Sequence, residues 1–281
     1  MCKDCGCSIH EEGEWIVEQV DGHALAHRAV VAEHSRSVTV LRDLLSENDR
    51  IAAHNRAHFD AHGVLAINLM SSPGAGKTSL LERTIEELAS ELRIGVIEGD
   101  LATENDARRI RAKGVPAIQI TTGSACHLDA RMIHEALHEF ALDGLDLLFI
   151  ENVGNLVCPA SFDLGQHLDV VLLSVPEGDD KPQKYPVMFR GADLVLLSKC
   201  DLLGVLPEFD ARRAAASLQA IGVEVPLIAV SCRAQGSIAG WRSWLTEQLA
   251  RHEVKRPAKD SQRSREPAGE RAAATASDTA R

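Results

Sequence analysis

The stretch "SSPGAGKTS", residues 71–79, has residue types suited to holding phosphate. Gly76, Lys77 and Thr78 match the end of the pattern G-x-x-x-x-G-K-[ST], with Ser71 where the pattern has its first glycine. Gly74 and Gly76 let backbone N–H groups close around phosphate oxygens. A helix starting near Lys77 aims its positive end at them. Lys77 brings a point charge to a β/γ-phosphate, Thr78 a hydroxyl for Mg²⁺, and Ser79 extends the same turn. An ordinary glycine-rich turn would not need the Lys-Thr pair.

Other residues suit a base and a reacting phosphate. Ser198-Lys199-Cys200-Asp201 resembles the N-K-x-D motif of GTPases, with Ser198 in place of asparagine. A carboxylate at Asp201 accepts from guanine N1–H and the 2-amino group, and adenine offers no such donor pair. Ser231, after a later strand, sits where GTPases bring a small loop to the base, and Lys199 belongs to the same pocket. Glu151-Asn152-Val153-Gly154 has the spacing of the D-x-x-G switch, with Glu for Asp. Asp100 follows an apolar run and serves either Mg²⁺ or the attacking water; capping of a helix is its structural alternative. The catalytic set expected is therefore Lys77, Asp100 and Glu151.

Thiols form two further groups. Cys2, Cys5 and Cys7 crowd the first seven residues, and removal of Met1 would add an amine as a fourth ligand. Cys126, His127 and Cys158 form the second, with Cys158 four residues beyond Gly154. Cysteine and histidine suit Ni²⁺ and Zn²⁺, not Mg²⁺. A γ-phosphate that orders the switch would also move Cys158. Cys200 and Cys232 read as packing residues. His54, His58 and His62 recur every four residues, as do His134 and His138; each set reads as a solvated helix face.

The elements needed to position these groups are legible. Seven apolar runs (65–70, 93–99, 117–120, 145–151, 169–175, 193–198 and 226–230) alternate with helical segments. Most are continuous rather than alternating, as strands buried on both faces are. The expected fold is α/β: a P-loop NTPase with a doubly wound, mostly parallel sheet. Residues 36–62 have helical spacing and end at Gly63. Residues 1–35 read as a flexible Cys/His-bearing arm, 36–251 as the GTPase domain with its leading helix, and 252–281 as a disordered tail.

Composition narrows the class. Aromatics are only 4% of 281 residues, so the core is aliphatic. The net charge of −11 argues against nucleic acid as a partner. No long apolar run suggests a leader or a membrane span, and an odd count of seven cysteines fits no disulfide scaffold. The expectation is a soluble, cytoplasmic protein.

Together the motifs resemble the hydrogenase nickel-incorporation GTPase (HypB) family. The likeness runs from about Val38 to Gln248 and includes "NRAHF", "NLMSSPGAGKTSLLERT", "EGDLATENDARRI", "GSACHLD", "ENVGNLVCPASFDLG", "EGDDKPQKYPVMF" and "LLSKCDLL", with "CKDCGC" at the N-terminus. The resemblance implies a GTPase (GTP to GDP and phosphate) that assists nickel insertion into the large subunit of [NiFe]-hydrogenase. It implies a nucleotide- or metal-linked homodimer, a small zinc-bearing accessory partner (HypA) and the hydrogenase large-subunit precursor. By position, Cys126, His127 and Cys158 resemble the family's metal site in the GTPase domain. Cys2, Cys5 and Cys7 resemble a separate N-terminal nickel site. Hydrolysis is expected to be slow and regulatory, since no arginine finger is assignable from the sequence. The alternatives are a related GTPase serving urease or another nickel enzyme, a zinc- or redox-sensing thiol protein, and an ATPase of the same fold.

Overall fold

The computed structural model describes residues 15–20, 23–28, 34–101, 104–233 and 237–255, with side chains described only between residues 44 and 253. The elements in chain order are β1 (Trp15–Val20), β2 (His23–Arg28), α1 (His34–His62), β3 (Leu65–Ser71), α2 (Lys77–Leu88), β4 (Ile94–Asp100), α3 (Asn105–Arg111), β5 (Ala117–Thr121), α4 (Ala130–Ala136), β6 (Leu147–Glu151), β7 (Leu168–Ser174), α5 (Lys181–Lys184), α6 (Pro186–Arg190), β8 (Leu194–Ser198), α7 (Ala211–Ala220), β9 (Leu227–Ala229) and α8 (Ala239–Lys255). The seven expected strands are all present, each within two residues of its predicted bounds.

Strands β3 to β9 form one seven-stranded sheet in the order β5-β4-β6-β3-β7-β8-β9. Every pairing in it is parallel. The central strands β3, β6 and β8 are buried at every residue, whereas the edge strands β5 and β9 are only half-covered. That is why the central runs are continuously apolar: helices cover both faces.

Alternate strand residues go to opposite layers. Leu65, Ile67 and Leu69 of β3 pack with Leu81 and Ile85 of α2, Ile110 of α3 and Trp241 of α8. On the other face, Ala66 of β3 and Ile150 of β6 pack with Phe59 of α1 and Ile133 of α4. Met70, Val171 and Val195 on that face meet Phe189 of α6 and Leu218 of α7. The sheet is therefore doubly wound, with its core split between two layers.

Two boundaries differ from the sequence reading. Within the stretch read as an arm, β1 and β2 pair antiparallel, from Trp15↔Arg28 to Val20↔His23. The sequence signal for this pairing is the dipeptide Asp21-Gly22, since Asp-Gly favours a two-residue hairpin turn. At the other end α8 continues to Lys255, past the expected boundary at 251. The expected N-terminal thiol site, and the part beyond 255 of the tail expected to be disordered, lie outside the described residues.

Candidate functional site

The connection from β3 to α2 builds a phosphate cradle. Gly74 and Gly76 have φ of +72° and +102°, a left-handed backbone that glycine adopts without strain. Helix α2 starts at Lys77 with no side chain capping its N-terminus. Its first-turn N–H groups are thus left for an anion, and the helix dipole favours one there. Ser71, the departure from the glycine pattern, has a use: Lys77 Nζ donates to its hydroxyl at 3.2 Å. Ser79 Oγ lies 3.5 Å from Arg109 Nη2, and that arginine is also held by Glu82 and Asp106.

Beside the cradle stand two buried carboxylates. Thr78 Oγ1 donates to Glu151 Oε1 at 2.8 Å, and Lys77 Nζ is 4.0 Å from the same oxygen. Glu98 of β4 is the direct register partner of Glu151 of β6. Strand periodicity puts both on the α2 side of the sheet, with Val96 and Phe149. Glu98 is 2% exposed and Glu151 3% exposed. Burial first, then the neighbouring Glu151, pushes the Glu98 carboxyl far up; burial also raises Glu151, against the pull of Lys77. Glu98 Oε2 and Glu151 Oε2 have no hydrogen-bond partner among the described residues. Buried carboxyl oxygens without partners are costly, and this pair beside a threonine hydroxyl fits a hard divalent cation such as Mg²⁺, whose charge would keep both carboxyls ionised. Asp100, half-buried at the end of β4, is two residues beyond Glu98. Sequence reasoning did not single out Glu98. Its signal was an acidic residue inside the apolar run "IGVIEGD".

The loop after β8 braces the cradle from the other side. Ser198 Oγ donates to Ala75 O at 2.7 Å, so the serine standing for asparagine still ties the two loops together. Lys199, at φ +57°, donates from Nζ to Gly74 O at 2.7 Å. It stands under the phosphate loop as well as in the expected base pocket. Ser231, 2% exposed, donates to Asp201 Oδ1 at 2.5 Å and so orients that carboxylate. Cys200 is half-buried and its thiol is pushed up by burial, as a packing residue's should be. Cys232 is exposed as a residue, yet burial of its thiol pushes it up to about 11.

The second thiol group is brought together as expected. Cys126 Sγ and Cys158 Sγ are 3.0 Å apart, and Cys126 Sγ is 3.8 Å from His127 Nδ1. The three ligand atoms all lie within 4.8 Å of one another. His127 stacks on Phe162 with centroids 4.0 Å apart, and burial lowers its pKa. A neutral imidazole beside two thiols suits a borderline metal ion such as Ni²⁺ or Zn²⁺.

This cluster is wired to the cradle. Gly154 leaves no room for a β-carbon: one built there would stand 2.8 Å from Pro73 Cα. Asn155 Nδ2 donates to Cys126 O at 3.3 Å, while Asn152 Oδ1 accepts from Leu128 N at 3.1 Å. One short segment, 151–158, thus runs from the Thr78 contact to a thiol.

Similarity to known proteins shows the family. A family model described as the CobW/HypB/UreG nucleotide-binding domain matches residues 65–228. The hydrogenase maturation factor HypB of Escherichia coli K12 is 48% identical over 238 residues, covering 85% of this chain and 81% of that protein. The chain belongs to the HypB family. HypB of Azotobacter vinelandii is 52% identical over 229 residues, with 81% of this chain and 74% of that protein covered. The crystal structure of HypB from Helicobacter pylori in complex with nickel superposes with a TM-score of 0.70 at 43% identity, covering 76% of this chain and 99% of that one.

The HypB match "NRAHF" acquires a physical role in α1. Asn55, fully buried, donates from Nδ2 to Ala130 O at 2.8 Å and Leu164 O at 3.1 Å. Asn48 repeats the device: Ala130 N donates to its Oδ1 at 2.9 Å, and its Nδ2 donates to Asp163 O at 2.8 Å. These asparagines hold the segments flanking Cys126–His127 and Cys158 to one helix. Neither was picked out from the sequence. A buried asparagine on an amphipathic helix is the signal that finds them.

Proposed function

We infer that this chain is a GTP-hydrolysing nickel protein of hydrogenase maturation, in which nucleotide state governs the metal held by Cys126, His127 and Cys158. The observation carrying the coupling is the contact of Gly154 with Pro73, four residues from Cys158. The relatives support the biological setting, since they are named hydrogenase maturation factors.

In this reading Gly74, Gly76, Lys77, Thr78 and Ser79 hold the phosphates, and Asp201, Lys199 and Ser231 form the guanine pocket. Thr78 would hold Mg²⁺, with Glu151, Glu98 and Asp100 as the acidic residues beside it. Bound there, it would neutralise phosphate charge. Lys77 adds its own charge, and Glu151 fixes the Thr78 hydroxyl. Asp100 and Glu151 are the groups placed to orient the attacking water. Hydrolysis is slow and switches the protein rather than turning over substrate. The arginine that contacts Ser79 among the described residues, Arg109, is held by Glu82 and Asp106.

One chain supplies three metal ligands at the thiol cluster, so a second chain or another donor completes the set. This favours a homodimer linked by nucleotide or metal. Nickel is the cargo and Zn²⁺ a competitor for the same donors. Cys2, Cys5 and Cys7 form a further nickel site, and the small accessory protein HypA and the hydrogenase large-subunit precursor are the partners. Among the described residues no helix is long and apolar enough to cross a membrane, which suits action in the cytoplasm.

The test is nickel affinity and release rate of the full chain with GDP and with a non-hydrolysable GTP analogue. The coupling predicts a clear difference between the two states; equal affinities and equal release rates would overturn it. Service to urease is a second reading, favoured by relatives in Helicobacter hepaticus and Helicobacter pylori, 46% and 44% identical, that are named hydrogenase/urease maturation factors.

A further inference from the structure

The two histidine series read from the sequence as separate solvated faces are one patch. His54, His58 and His62 lie on α1, and His134 is on α4 with His138 just beyond it. Each series has i, i+4 spacing, which stacks side chains on one side of a helix and is the spacing by which a helix offers two imidazoles to one metal. Tertiary packing then joins the series. The His54 and His134 rings are 5.1 Å apart, centroid to centroid, and the His134 and His138 rings 5.0 Å apart. His58 and His62 are 4.5 Å apart.

The His54–His134 and His134–His138 separations are those of cis ligands. A metal–nitrogen bond of about 2.0–2.1 Å puts a ring centroid roughly 3.2 Å from the ion. Two such rings at 90–110° have centroids about 4.5–5.3 Å apart by the same geometry. The rings now meet edge to face, at 79° and 77°. Rotation about χ2, a broad and low-barrier torsion, turns their nitrogens inward. The scaffold is firm, because Asn48 and Asn55 hold α1 to Ala130, the first residue of α4. His58, one turn along α1 from His54, is lowered in pKa by burial and then by its neighbours His62, His54, His134 and His138.

We propose that His54, His58, His134 and His138 form a second, all-imidazole site for one borderline divalent transition-metal ion, of the Ni²⁺ or Zn²⁺ class. It is separate from Cys126, His127 and Cys158 and requires no nucleotide. As the rings stand, the ligand atoms of these four histidines are not gathered within 4.8 Å of one another, whereas those of a different group, Asp60, His167 and His252, are. Its chemistry is against metal: Ala66 N donates to His167 Nδ1 at 2.9 Å, so the neutral ring carries its proton on Nε2, facing Asp60 Oδ1 at 3.2 Å. Among the described residues no such bond ties up His54, His58, His134 or His138; His62, with Nδ1 2.9 Å from His58 O and Nε2 4.0 Å from Asp143, is left out of the set.

The experiment is equilibrium dialysis of the full chain against Ni²⁺ alone and Zn²⁺ alone, for wild type, His54→Gln/His134→Gln and His58→Gln/His138→Gln. Each double variant is expected to bind one equivalent less Ni²⁺, with thiolate-to-nickel charge-transfer absorbance and nucleotide binding unchanged. Unchanged stoichiometry and affinity overturn the site. Loss of charge-transfer absorbance along with the equivalent overturns its separateness, since the histidines would then act through the thiols. A measurement on the unaltered chain guards against variants that fold poorly: the histidine ring resonances followed by NMR during Ni²⁺ addition. Four of them are expected to broaden together in one further step after the thiol absorbance saturates, and absence of that step overturns the proposal.

Discussion

Gly154 lies directly against Pro73: a β-carbon on the glycine would stand 2.8 Å from the proline Cα and 3.0 Å from its nitrogen. Both clashing atoms are backbone, which cannot swing aside as a side-chain end can. Gly154→Ala must therefore displace either the phosphate loop or the segment leading to Cys158. Overpacking of this kind costs about 1–3 kcal/mol, roughly 5- to 150-fold in an equilibrium. GTP-analogue affinity, measured by fluorescence of a labelled nucleotide, should fall within that range, and the nickel affinity should lose its dependence on nucleotide.

Glu151→Gln separates two roles of the carboxylate. The amide oxygen can still accept the bond from Thr78 Oγ1, now 2.8 Å to Glu151 Oε1, so the cradle should keep its shape. The negative charge beside Lys77 is lost. Single-turnover hydrolysis should slow by about 100-fold or more, the scale of losing a positioned catalytic group, while GDP binding without Mg²⁺ changes little. Glu98→Gln tests its register partner in the same assay and should weaken the dependence of GTP binding on Mg²⁺.

Asp201→Asn reverses the hydrogen-bond pattern presented to the base. The present carboxylate, held by Ser231 Oγ at 2.5 Å, only accepts. An amide presents a donor, which guanine cannot use and xanthine can. GTP affinity should drop about 100-fold or more, as for other buried polar mismatches. XTP should bind better to the variant than to the parent, in competition assays with labelled nucleotide. If ATP binds the parent as well as GTP does, the guanine pocket is wrong.

Asn55→Ala leaves Ala130 O and Leu164 O without the donor they share. Each buried acceptor left unpaired costs about 1–3 kcal/mol. Urea unfolding should show a destabilisation of that order with an unchanged m-value. Nickel binding at Cys126, His127 and Cys158 should weaken with it, because both flanking segments hang on this side chain.

His167 makes the fold acid-sensitive. Burial lowers its pKa, outweighing the pull of Asp60. Its Nδ1 accepts from Ala66 N at the start of central strand β3, and a protonated Nδ1 cannot accept. The folded value lies below the unfolded one, so the unfolded chain takes up the proton first. Stability from this group is complete above about pH 6.5 and is lost as pH falls from there toward the folded value. His167→Asn should remove that part of the pH dependence of the unfolding free energy. An identical pH profile in both proteins would show that another group is responsible.

The sequence alone determined the architecture. Seven continuous apolar runs separated by helical segments leave few alternatives to a doubly wound parallel sheet, because each run must be covered on both faces. It also determined the chemistry that is local in the chain. Gly74, Gly76, Lys77 and Thr78 are consecutive or nearly so, and a phosphate loop works through its own backbone. The pairing of β1 with β2 has an equally local signal, the Asp21-Gly22 dipeptide in the sequence between them.

Tertiary structure alone decided what depends on contacts between distant residues. Glu98 becomes a partner of Glu151 through sheet register, which no single strand encodes. Ser198 proves adequate where asparagine was expected, because its hydroxyl reaches Ala75 O across 123 residues of sequence. Helical spacing told that His54 and His58 share a face, as do His134 and His138, but only the packing of α1 against α4 made the two faces one. A side chain's type and spacing fix what it can do; which groups it does it with is fixed by long-range contacts, whose formation depends on the burial of both layers at once.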